Sequence, residues 1–128
     1  HFDRLASDTG YARSRRATQA AQKRLNEASK YLGGTDREPF YGAISKALVG
    51  YAADKFNLQE AGIVSEDIAG KLQDQQVDPD TIRKFAELLT VCDYSRFAPA
   101  QNSEDEMQNI YERSRSIIVD LEKSLGKL

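Results

Sequence analysis

The stretch Phe40-Tyr41-Gly42-Ala43-Ile44-Ser45-Lys46-Ala47-Leu48-Val49-Gly50-Tyr51-Ala52 decides how this chain folds. Phe40, Ile44, Ala47, Leu48, Tyr51 and Ala52 recur three and four residues apart, the spacing of one wide helical face. Gly42 and Gly50 lie inside the run, each costing about 1 kcal/mol against Ala in a helix interior. Two such costs on one helix predict that another backbone packs closely there, and the Ala-rich helix before it is the expected neighbour. The helix is expected from about 37 to 56. Thr35 with Glu38, or Asp36 alone, can cap it, and Pro39 falls in the first turn, where its missing N–H costs little.

Outward from this segment the same period continues. Upstream, Ala17, Ala21, Leu25, Ala28 and Leu32 predict a helix over about 11–32, stopped by Gly33 and Gly34. The two helices should form an antiparallel αα-hairpin with a tight turn. Downstream, a connector (57–64) carries Leu58, Ile63 and Val64 beneath the helices. Ser65 caps a short third helix containing Glu66, Asp67, Ile68 and Leu72, whose early acids suit the helix dipole. Asp78 before Pro79 starts the fourth, lined by Ile82, Phe85, Leu88, Leu89 and Cys92 and ending near Tyr94. Ser103 with Glu106 forms a capping-box pattern for a long fifth helix striped by Met107, Ile110, Tyr111, Ile117, Ile118, Leu121 and Leu125. No segment alternates with period two long enough to be a strand. The expected fold is all-α: a compact bundle of about five helices, with an N-terminal αα-hairpin, two short central helices and a long C-terminal helix.

At 128 residues the chain suits one unit, read as a linker or juxtamembrane segment over 1–10 and one helical domain over 11–128. Its 40% apolar content excludes a disordered tail, and 8 Gly with 3 Pro leaves few breakers. No apolar run approaches a membrane span and no signal-peptide pattern appears. Residue 1 is His, so the chain reads as an excised or processed piece. No repeat follows at about 34 residues, although the first hairpin approximates one tetratricopeptide unit.

One Cys and one His exclude an internal disulfide and most transition-metal sites. No metal, cofactor or catalytic residue is assigned. Acidic clusters such as Asp74, Asp78, Asp80 and Glu104, Asp105, Glu106 lack the calcium-loop pattern and read as caps and solvated faces. Cys92 sits in register with Ile82, Phe85 and Leu89, so a buried small hydrophobe is expected; a thiol-based redox sensor or small enzyme using Cys92 is the rival. The third and fourth helices resemble a helix-turn-helix in outline, but the segment from Asp78 to Asp93 carries net negative charge, the wrong sign for a DNA reader.

Charge is unevenly placed. Residues 1–30 hold seven basic side chains (Arg4, Arg13, Arg15, Arg16, Lys23, Arg24, Lys30) against three acidic, whereas residues 60–110 hold eleven acidic against four basic. A basic start on an acidic domain fits a segment following a membrane span on the cytoplasmic side, with Arg4, Arg13, Arg15 and Arg16 as the membrane-proximal set. Tyr94, Arg96 and Phe97 fall on an expected loop, a composition typical of interface anchors. The plainer reading has Tyr94 and Phe97 plugging the bundle core and Arg96 pairing with an acid.

Several blocks together resemble the C-terminal cytoplasmic domain of the BatD family, the Bacteroides aerotolerance (oxygen-tolerance) proteins. They are Arg4-Leu5-Ala6-Ser7-Asp8 with the Arg-rich 13–17, Lys23-Arg24-Leu25 with Ala28, and Phe40-Tyr41 with Ile44, Lys46-Ala47-Leu48, Gly50-Tyr51 and Asp54-Lys55. Ser65, Asp67-Ile68, Leu72, Leu88-Leu89, Cys92, Arg96-Phe97-Ala98-Pro99, Met107 and Tyr111 continue the likeness over nearly the whole chain. One departure is the polar turn Gln73-Asp74-Gln75-Gln76, where relatives often place a glycine. The resemblance implies a membrane-anchored parent with a secretion signal, extracytoplasmic β-rich domains and one transmembrane helix, followed by this module on the cytoplasmic face of the bacterial inner membrane. It implies partners of von Willebrand A-type, tetratricopeptide and MoxR-type AAA+ kinds and a link to oxygen and stress tolerance; the missing catalytic motifs and the acidic balance add the expectation of a non-catalytic role with no nucleic acid or small-molecule substrate.

Overall fold

A computed structural model describes residues 12–34, 37–59, 65–97 and 104–128. Five helices follow in order: α1 (Ala17–Ser29), α2 (Arg37–Phe56), α3 (Ser65–Asp74), α4 (Pro79–Phe97) and α5 (Glu104–Leu125), with no strand among the described residues. The fold is all-α, as the apolar period predicts. The caps expected at Thr35, Asp36 and Ser103, the burial expected of Ile63 and Val64, and residues 1–10 lie outside the described residues.

α2 is the hub. Phe40, Tyr41, Ile44, Ala47, Leu48, Tyr51, Ala52 and Ala53 are all buried, so the helix is enclosed on most sides. It packs on α1, α4 and α5, while α3 packs on α4. Arg13 before α1 reaches Asp54 and Asn57 at the end of α2, which makes the hairpin antiparallel. Arg96 near the end of α4 lies against Gly42 near the start of α2, so α4 also runs antiparallel to α2. Tyr51 and Lys55 meet Glu122, so α5 runs beside α2 in the same direction. Four long helices therefore alternate around one core, and α3 packs on α4.

Three sequence expectations are corrected. α1 ends at Ser29, not near 32, because Lys30, Tyr31 and Leu32 donate to the carbonyls of Glu27, Ala28 and Ser29; the last turn tightens to i→i+3 bonds before Gly33 turns left-handed at φ 81°. A separate helical turn at 12–15 leads into it through Arg16. α4 has 19 residues, so only α3 is a short central helix, and Tyr94, Arg96 and Phe97 lie on a helix instead of a loop. The sequence gives no stop before 97: there is no Gly, and Pro99 acts only on its own neighbourhood. Finally, at Gly42 the close neighbour is the Arg96 side chain of α4, whose guanidinium a Cβ would meet at 3.5–3.7 Å, and not the backbone of α1; α2 still packs extensively on α1.

Two helix ends use left-handed residues other than glycine. Asn57 (φ 54°) ends α2, with the Leu58 N–H donating to the Ala53 carbonyl at 2.8 Å; Gln76 (φ 60°) follows α3, with the Val77 N–H donating to Leu72 at 3.1 Å. Both are six-to-one closures of the Schellman type. The left-handed backbone at Gln76 would suit a glycine, and buried Val77 anchors the turn. Asp78 then caps α4 through the N–H of Asp80 at 2.9 Å.

Candidate functional site

A polar seam runs along one end of the bundle. Before α1, the Arg13 guanidinium donates to Asp54 Oδ1 at 2.9 Å, Asn57 Oδ1 at 3.0 Å and the Leu58 carbonyl at 2.6 Å. Arg24 adds a looser contact to Asp54 at 3.8 Å. Arg13 thus fixes the left-handed end of α2 with a planar fork of donors, a geometry that Lys could not reproduce. Ser14 donates to the carbonyl of Leu128 at 2.8 Å, bringing the last residue of the chain to the same place.

Deeper in the seam lies a charge pair that the sequence reading missed. The Lys55 side chain is 2% exposed and its ammonium donates to Glu122 Oε1 at 3.1 Å, while the Tyr51 hydroxyl donates to Glu122 Oε2. Burial by itself raises the Glu122 carboxyl. The hydrogen bonds from Tyr51 and Lys55, with the Lys55 charge, outweigh that, and the group stays below the ordinary carboxylate range. Burial and the facing carboxylate push the Tyr51 phenol upward. Tyr51 and Lys55 are one helical turn apart, so their shared face was legible; nothing in the sequence named Glu122 as the partner.

The basic residues of the N-terminal set separate. Arg4 is outside the described residues and Arg13 belongs to the clamp. Arg15 and Arg16 are exposed. Lys23 and Lys30 join them on the solvent side of α1, where Glu27 is the exposed carboxylate. Lys46 of α2 shares with Lys23 and Arg24 a shallow groove of about 340 Å³ floored by Ala20 and Ala43. The acidic half is different: Asp80, Arg83, Lys84, Glu87 and Arg113 form an exposed chain of ion pairs at 2.7–3.6 Å across α4 and α5.

The Tyr94–Arg96–Phe97 group divides as well. Tyr94 is 75% exposed, which rules out the core-plug reading for it, since its position on α4 points away from α2. Arg96 is half-buried against Gly42, and the Phe97 side chain is outside the described residues. Cys92 is fully buried, and burial together with neighbouring Asp93 pushes its thiol up to about 12. A resting thiolate is disfavoured there, so this geometry gives the thiol-sensor reading no support. Among the described residues no cluster of His, Cys, Asp or Glu could hold a metal ion, and no helix is long and apolar enough to cross a membrane.

No protein family, curated protein or solved structure matches the chain.

Proposed function

We propose that this chain is a non-catalytic, membrane-proximal helical interaction module, the cytoplasmic part of a BatD-like oxygen- and stress-tolerance protein. It acts at the inner face of a bacterial membrane with von Willebrand A-type and MoxR-type AAA+ partners. The observation that supports this reading is the solvent side of α1, where Arg15, Arg16, Lys23 and Lys30 face outward with Glu27 on a chain of net charge −2. The Arg13 clamp holds the lead-in to that helix against the ends of α2 and α5, so the basic face is presented rigidly. Each Lys or Arg near an anionic bilayer contributes about 1 kcal/mol, within a Debye length of about 8–10 Å. The ion-paired α4–α5 side is left for protein partners.

Co-sedimentation with vesicles containing phosphatidylserine tests the first half. Arg13 must be kept, because its loss would disturb the fold. The variant R16E/K23E/K30E is expected to lose binding in low salt, and wild type to lose it in high salt. Equal binding of wild type and variant refutes the membrane-facing role. Pull-down with the membrane-anchored parent, with and without this domain, tests the second half: recovery of the same partners from both refutes it.

A further inference from the structure

Helix α5 carries a second, narrow stripe on its solvent side. Asp105, Asn109, Glu112, Ser116, Val119 and Lys123 are all exposed and follow one another at alternating steps of four and three residues. That is the 3.5-residue period of a two-helix seam, carried here by polar residues around the single apolar Val119. Val119 is 55% exposed and lies one turn from the small, exposed Ser116. The stripe stands as a ridge between two grooves. One, of about 350 Å³, lies toward α1 over Leu25 and Ile118; the other, of about 370 Å³, lies toward α4 over Leu88 and Ile117. Glu112 and Ser116 line both. A ridge flanked by grooves is the relief that helix packing requires.

The order of charge along the ridge selects the occupant. Asp105 and Glu112 come first and Lys123 last, so a parallel copy would set like against like. An antiparallel copy reverses this. With Ser116 opposite Val119 of the second copy, Glu112 falls opposite Lys123 of the second copy, and the two-fold axis repeats the pair. On the flank Arg113 comes near Asp120 of the second copy. Their present pairs, Arg113 to Glu87 and Lys123 to Asp120, are each 3.6 Å long and solvent-exposed, so exchanging them costs little. We infer that the outward ridge of α5 is a self-association surface, on which a second copy of this chain lays its own α5 antiparallel. This rests on α5 alone and is independent of the membrane reading.

Sedimentation of the 128-residue chain from about 10 µM to about 1 mM tests it, spanning the affinity of a modest exposed interface. Wild type is expected to dimerise, more weakly as salt rises. E112K and K123E each turn both cross-pairs repulsive and should raise the dissociation constant at least about tenfold, with circular dichroism unchanged. An equimolar mixture of E112K and K123E, and the double variant E112K/K123E, should each recover the dimer, because opposite charges again face each other. A wild type that stays monomeric at about 1 mM overturns the proposal. So does a dimer indifferent to both single reversals, or one that neither the mixture nor the double variant restores.

Discussion

Removing the Glu122 carboxylate should damage the fold more than removing the lysine it pairs with. The two partners are unequally buried: the Lys55 side chain is 2% exposed and the Glu122 side chain 35%. Taking one member from a fully buried pair costs about 3–5 kcal/mol, because the remaining charge is stranded. In Glu122→Ala the stranded group is the ammonium, and the Tyr51 hydroxyl loses its acceptor as well. Water entering where Glu122 reached solvent screens part of this, so about 2–3 kcal/mol is expected. In Lys55→Met the stranded group is a carboxylate already touching water and still held by Tyr51, and the methionine keeps most of the packing; about 1 kcal/mol is expected. Glu122→Gln retains an acceptor oxygen and should also cost about 1 kcal/mol. Because the folded Glu122 carboxyl lies below its unfolded value, its stabilisation is complete above the ordinary carboxylate range and is lost as pH falls through the folded value. Wild type should therefore lose stability on acidification more steeply than Glu122→Gln. Urea melts near neutral pH and along an acid series read both effects. If Glu122→Ala is no more destabilised than Lys55→Met, the unequal-burial reasoning is wrong.

Arg13→Ala should cost about 2 kcal/mol by urea melting, since it strips three acceptors at the end of α2, and Arg13→Lys should recover less than half of that because an ammonium cannot bridge all three. Cys92 should resist thiol reagents in the native state; with its thiol pushed up to about 12, the thiolate population is lower than that of a free cysteine by about 10³-fold, and labelling should track unfolding instead of reagent concentration. Gln76→Gly should raise thermal stability, by about 0.5–1 kcal/mol, because glycine adopts the left-handed turn after α3 without a Cβ penalty.

Periodicity and punctuation were enough for the all-α class, the five helices and nearly every core position. Ile44, Leu48, Leu25, Phe85, Cys92, Ile118 and Leu125 are buried where the helical stripes place them. These are one-dimensional properties: a 3.6-residue repeat and a proline or glycine act within a few residues, so they can be read along the chain. The length of α4 escaped that reading, because a helix end without a local stop is set by what its last turn packs against, here Arg96 over Gly42. The same limit hid the division among the basic residues. Arg13 and Arg16 are three apart and alike in sequence, yet one closes the end of a helix forty-one residues away while the other faces solvent. Nothing along the chain singles out Lys55, whose partner Glu122 is brought to it across the bundle. Pairing between distant helices depends on which faces the core turns toward each other. Composition and local spacing carry no record of that; only the packed structure does.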